Sequence, residues 1–143
     1  MNDPAIKKWI KTEEGYKEKI YLDSVGNWTC GWGHLLFLGD EVPTAACEGF
    51  FDDDYAQAKD DLKTLYRMYS LPVMGLVREA VLLGMLFQMG LTKVMKFKKM
   101  LVALMDKDWN RAAVEMLDSK WARQTPARAK EAAEMMRTGA ING

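Results

Sequence analysis

The chain has little in it that would staple, interrupt or electrically bias a fold. Two cysteines in 143 residues are too few for a disulfide framework. Cys30 and Cys47 stand in no Cys-x-x-Cys or Cys/His metal spacing, so both are expected to be reduced, structural thiols. No low-complexity stretch, flexible linker or internal repeat is present, which excludes an array or a tethered pair of domains. Lysine plus arginine balances aspartate plus glutamate at 20 each. No global charge therefore draws the chain toward nucleic acid or an anionic membrane, and neither is expected as a partner. The basic group Lys93, Lys96, Lys98 and Lys99 and the acidic group Asp52, Asp53 and Asp54 read as solvated surface. Met1 to Glu13 carries Lys7, Lys8 and Lys11 but no apolar run long enough for a secretory core or a membrane span. The expectation is a chain that stays in the cytoplasm where it is made and does not insert into a membrane.

What is present is an ordinary globular composition, 49% apolar and 28% charged. The length suits one compact unit, or two small lobes sharing a core. Asp3 before Pro4 reads as an N-cap with proline at the first helical position, and Ile6, Trp9 and Ile10 fall on one face of a helix ending near Thr12 or Glu13. Alternation through Ile20-Tyr21-Leu22-Asp23, the turn cluster Ser24 to Asn27 and then Trp28 to Trp32 predict a β-hairpin. Thr44, preceded by Pro43, is the expected N-cap of a long helix reaching about Tyr69. A helix apolar nearly all round is expected from Val73 to about Met89. Further helices fit 97–105, 108–117 with Asp108 as N-cap, and 126–137 with Pro126 at its first position and Gly139 past its end. The fold class is α+β, one domain over 1–143. Its parts are a β-rich lobe at 13–43, a helical lobe from 1–12 and 70–143, a connecting helix at 44–69, and a cleft between the lobes.

Glu14 falls at the carboxyl end of the first helix, where exposed carbonyls disfavour a carboxylate and should raise its pKa, as a general acid requires. Asp23 closes the first strand, where an Asx-turn residue is the simpler reading. Thr29 stands on the opposing strand, within hydrogen-bonding reach of a water held by Asp23, though a β-branched strand filler would look the same. Together, two carboxyls and a hydroxyl supply what glycosidic cleavage uses.

The pattern is Glu14, eight residues, Asp23, five residues, then Thr29-x-Gly31-x-Gly33-His34. It resembles that of the phage-type lysozymes, glycoside hydrolase family 24. The likeness continues through Phe87-Gln88-Met89-Gly90, Trp109 to Ala113, Trp121 to Lys130 and Arg137-Thr138-Gly139, and so covers nearly the whole chain. The resemblance implies Glu14 as general acid, Asp23 as second carboxylate and Thr29 as a holder of the attacking water, with an inverting outcome. It implies that Leu35, Phe87, Gln88, Gln124 and Arg128 line the saccharide cleft. His34, the only histidine, corresponds to one that pairs with an aspartate on the long helix, here Asp54. That salt bridge is expected to weaken in acid as Asp54 protonates and in base as His34 loses its proton.

Departures from relatives are as informative. A shorter stretch separates His34 from Thr44, which opens one rim of the cleft. Lys99 and Met100 replace small polar cleft residues. Cys30, Trp28 and Trp32 read as packing, with sugar stacking by Trp32 the alternative.

The implied activity is hydrolysis of the β-1,4 bond between N-acetylmuramic acid and N-acetylglucosamine in peptidoglycan, with no metal or organic cofactor. A monomeric phage endolysin, released from the host cytoplasm to the periplasm and wall by a holin, is the expected setting. A catalytically silent glycan-binding module on the same scaffold and a transglycosylase are the competing readings.

Overall fold

The computed structural model describes residues 2–35 and 43–141, with the backbone alone at Glu18, Ile20 and Trp28. The expectations for the 36–42 stretch and for the Trp28 side chain lie outside the described residues. Helix α1 (Asp3–Glu14) is capped by Asn2 rather than by Asp3, the Asn2 side chain accepting the Ala5 N–H at 3.0 Å. Asp3 is thus the first helical residue, where its charge meets the positive end of the helix, and Pro4 falls where an N–H would go unused. Ile6 and Ile10 are buried, each worth about 1.5–3 kcal/mol relative to exposure. Gly15, at φ +68°, ends α1 and turns the chain into the sheet, its N–H donating to the Lys11 carbonyl.

The sheet has three antiparallel strands in sequence order, β1 (Lys17–Leu22), β2 (Trp28–Gly31) and β3 (His34–Leu35). Tyr21 stands opposite Thr29, Thr29 opposite Leu35, and Cys30 opposite His34. Because side chains alternate across a sheet, Tyr21, Thr29 and Leu35 form a row on one face, and Cys30 with His34 belongs to the other.

Helix α2 (Thr44–Tyr69) spans the expected range. Thr44 is its first helical residue, and its hydroxyl shares a 3.0 Å hydrogen bond with the Tyr16 phenol. Cys47, Phe51, Tyr55, Ala58 and Leu65 make its buried stripe, at the three- and four-residue spacing of one helix face.

Contacts divide the chain into a unit of Asn2–Gln57 and a second beginning at Ala58, with the boundary inside α2. Residues 1–12 were expected with the helical part. Helix α1 groups instead with the sheet and the start of α2, for physical reasons: Lys11 Nζ lies 2.7 Å from Glu48 Oε2, Lys7 sits over the Tyr55 ring, and the Tyr55 hydroxyl donates to Asp3.

The second unit holds α3 (Leu76–Met89), α4 (Leu91–Met95), α5 (Lys98–Met105), α6 (Trp109–Leu117), α7 (Lys120–Gln124) and α8 (Pro126–Thr138). Helix α3 starts three residues later than expected, because Val73 is 90% exposed and Gly75 adopts φ +85°. Ala80 to Leu86 are all buried, so this helix is covered on every side. Asp108 caps α6 by accepting the Arg111 N–H, Pro126 opens α8, and Gly139 ends it in the left-handed conformation. Arg78 of α3 donates to the Met136 and Arg137 carbonyls and lies over the Trp109 ring, satisfying the end of α8. Among the described residues, no helix is long and apolar enough to cross a membrane.

Candidate active site

In the first unit the residues singled out by sequence come from the end of α1 and from the sheet. Glu14 is the last residue of α1 and is half-buried. Its carboxylate lies against the β2–β3 turn: a Cβ placed on Gly33 would come within 2.9 Å of Glu14 Oε2. Gly33 has φ +84°, a conformation that favours glycine and that brings bare backbone up to the acid.

Asp23 sits where β1 enters its turn. Its Oδ1 accepts the N–H groups of Val25 at 3.0 Å and Asn27 at 2.8 Å, while the Asp23 N–H donates to the Asn27 carbonyl. The Asx turn is therefore real, and it holds the carboxylate in one orientation. Both turn amides fall on the same oxygen. Thr29 is only 2% exposed, and its Oγ1 donates to the Asn27 carbonyl at 2.9 Å. With its proton committed there, the hydroxyl can only accept from any further partner.

Tyr21, which the sequence reading passed over as a strand residue, relates the two carboxyls. Its phenol pKa is raised, first by burial and then by the charges of Glu14, Asp23 and Cys30. Tyr21 thus lies within the fields of both acids. It precedes Asp23 by two positions and faces Thr29 across the ladder. The signal that could have found it is this period of two.

His34 and Asp54 are brought together at 2.7 Å, Nδ1 donating to the Asp54 Oδ2, and the His34 ring stacks on Phe50 at 4.1 Å. Trp32 is occupied by its own protein. Lys11 Nζ stands 4.2 Å from its ring centroid, Tyr16 packs at 4.8 Å and Phe51 at 5.8 Å. These contacts are packing within the protein. Leu35 is 62% exposed and ends the Tyr21–Thr29 row.

In the second unit, Gln88 Oε1 accepts the Trp121 indole N–H at 2.8 Å, which fixes the amide and presents its N–H₂. Trp121 is itself buried and meets Phe97 edge-on. Phe87 is half-buried, Gln124 exposed, and Arg128 reaches the Gly84 carbonyl at 3.4 Å. Met100 is fully buried and packs in the core, so it lines no cleft; Lys99 beside it is exposed.

One helix, a small antiparallel sheet, a long helix and a succession of further helices make an α+β, lysozyme-like fold. The chain belongs to the phage lysozyme family, which residues 11–137 match. The protein is accordingly a glycoside hydrolase of the lysozyme type, a peptidoglycan hydrolase. It is similar to probable T4-type lysozyme 2 of Dictyostelium discoideum, 29% identical with 96% of each chain covered. Probable T4-type lysozyme 1 of the same organism is likewise 29% identical, again over 96% of each chain. The pre-baseplate central spike protein of Enterobacteria phage T4 is 28% identical over 94% of this chain but only 28% of its own length.

Proposed function

We propose that this enzyme cuts the β-1,4 bond between N-acetylmuramic acid and N-acetylglucosamine by acid-assisted, inverting attack of water. The observation that supports the reading is that Glu14, at the end of α1, lies against Gly33 of the β2–β3 turn, while Asp23 is held by the amides of the β1–β2 turn of the same small sheet. Glu14, held against Gly33, protonates the leaving oxygen. Asp23 and Thr29 act on the water. Since the Thr29 hydroxyl already donates its hydrogen bond to the Asn27 carbonyl, it and Asp23 are both acceptors, and a water donating to the pair turns a lone pair toward the anomeric carbon. No metal or organic cofactor enters this scheme.

Saccharide contacts by Leu35, Phe87, Gln88, Gln124 and Arg128 complete the proposal. The Gln88 amide, pinned by Trp121, is the best preorganised of these donors. Membership in a phage family supports a monomeric endolysin that waits in the host cytoplasm until a holin admits it to the periplasm and wall. Early-time proton NMR of digested glycan strands tests the chemistry. The scheme predicts newly formed ends in the α configuration that are free and reducing. Ends appearing first as the β anomer, or as anhydro-muramyl groups, would refute it.

A further inference from the structure

We infer that Cys30 and Cys47 form a disulfide site, open in this structure and closed by thiol exchange with a small-molecule disulfide. Cys30 lies on β2 and Cys47 in the first turn of α2, 17 positions apart in sequence. Their sulfurs are 3.8 Å apart, and the residues are 0% and 1% exposed. A bond needs sulfurs at about 2.05 Å and closely approaching backbones. The approach is present: a Cβ on Gly31, next to Cys30, would meet the Cys47 Cβ at 3.0 Å and its Sγ at 3.3 Å. Strand and helix are therefore in contact at this point, and the bond requires the two sulfurs to close from 3.8 Å to about 2.05 Å.

Burial and then the neighbouring Cys47 push the Cys30 thiol up to about 12. Exchange proceeds through a thiolate, so the folded, reduced pair is slow to react from solvent. The bond is made while the chain folds or opens. One cysteine thiolate attacks the small disulfide, forming a mixed disulfide and breaking the old S–S bond; the departing thiolate takes up a proton. The second cysteine then attacks the mixed disulfide, the Cys30–Cys47 bond forms, and a second small thiol leaves. Two protein thiols are oxidised and one small disulfide is reduced to two thiols.

The product ties β2, in which Thr29 precedes Cys30, covalently to α2. It also shrinks the unfolded ensemble by closing a loop of this length. A chain that folds or opens in an oxidising compartment would gain this clamp there.

Refolding the whole protein from denaturant in a mixture of oxidised and reduced glutathione tests the site. The products are quenched in acid, alkylated under denaturing conditions and weighed intact. The expected result is a monomeric chain lighter than the reduced form by two hydrogens, carrying no alkyl group. Its melting temperature should exceed that of the reduced protein by roughly 5–10 °C, a shift absent from Cys47→Ala. Two alkylated cysteines, or a glutathione adduct that persists on one of them, would overturn the inference. The measurement involves no substrate, so its outcome is independent of the glycosidase mechanism.

Discussion

Gly33 has two separate reasons to be glycine, and they can be pulled apart by comparison with Gly26. Both have positive φ, +84° and +86°. A Cβ at Gly26 meets nothing within 4 Å, whereas one at Gly33 meets the Glu14 carboxylate. Gly26→Ala should therefore cost only the backbone conformation, about 1–2 kcal/mol, with activity per folded molecule retained. Gly33→Ala should cost a similar amount of stability and in addition displace the acid, lowering kcat about a hundredfold. Thermal melts and initial rates on the two variants check the pair; equal activities would mean that Glu14 does not work from the position seen here. At this scale the sequence was most readable. Glu14, Asp23, Thr29 and the Gly31/Gly33 spacing all lie within one short segment, where local geometry leaves little freedom. Tyr21 was missed because its meaning depends on which two charges flank it; the period of two along β1 places it on the face of Thr29 but does not report those charges.

Among elements, α1 and the first half of α2 are joined by charged and aromatic groups rather than by apolar area alone. Tyr55 reaches Asp3 at 3.4 Å, and burial followed by the Asp3 charge pushes its phenol up to about 12. A folded pKa above the unfolded value of about 10 means that the neutral phenol's contribution is intact below pH 10. It is lost as pH rises through 12, because in that interval the folded chain binds more protons than the unfolded one. Cys30, raised for the same chief reason, extends the fall downward toward the ordinary thiol range. The melting temperature should thus decline steadily between about pH 9 and pH 12. Tyr55→Phe should flatten the decline without abolishing it, since Tyr21 and Tyr66 are raised as well. An unchanged slope in that variant would remove Tyr55 from the account.

Long elements were legible and short ones were not. Helix α2 offers seven turns of periodicity, and its extent was readable to within a residue, Thr44 being its first helical residue rather than its N-cap; α4 and α7, five residues each, are too short for any period to show. The N-cap moved from Asp3 to Asn2 because both side chains can cap and only geometry chooses. The start of α3 was read three residues early because Val73 is apolar yet exposed, and hydrophobicity alone cannot distinguish the two.

For the whole molecule, the chain divides into two units that are contiguous in sequence, Asn2–Gln57 and the residues from Ala58 onward. Helix α1 was expected with the later helices, while the bonds of Lys11, Lys7 and Asp3 place it with the sheet's own unit. That grouping has a functional consequence: Glu14, Asp23, Thr29, His34 and Asp54 all belong to Asn2–Gln57, so the proposed chemistry is carried by one unit. The central claim is that the Glu14 carboxyl delivers the proton. Its most direct test is the rate of reducing-end release from purified peptidoglycan by the wild type, Glu14→Gln and the neighbouring control Glu13→Gln. The account predicts a loss of at least about a hundredfold for Glu14→Gln at unchanged melting temperature, with the control close to wild type. A Glu14→Gln enzyme retaining activity within about tenfold of wild type would contradict it.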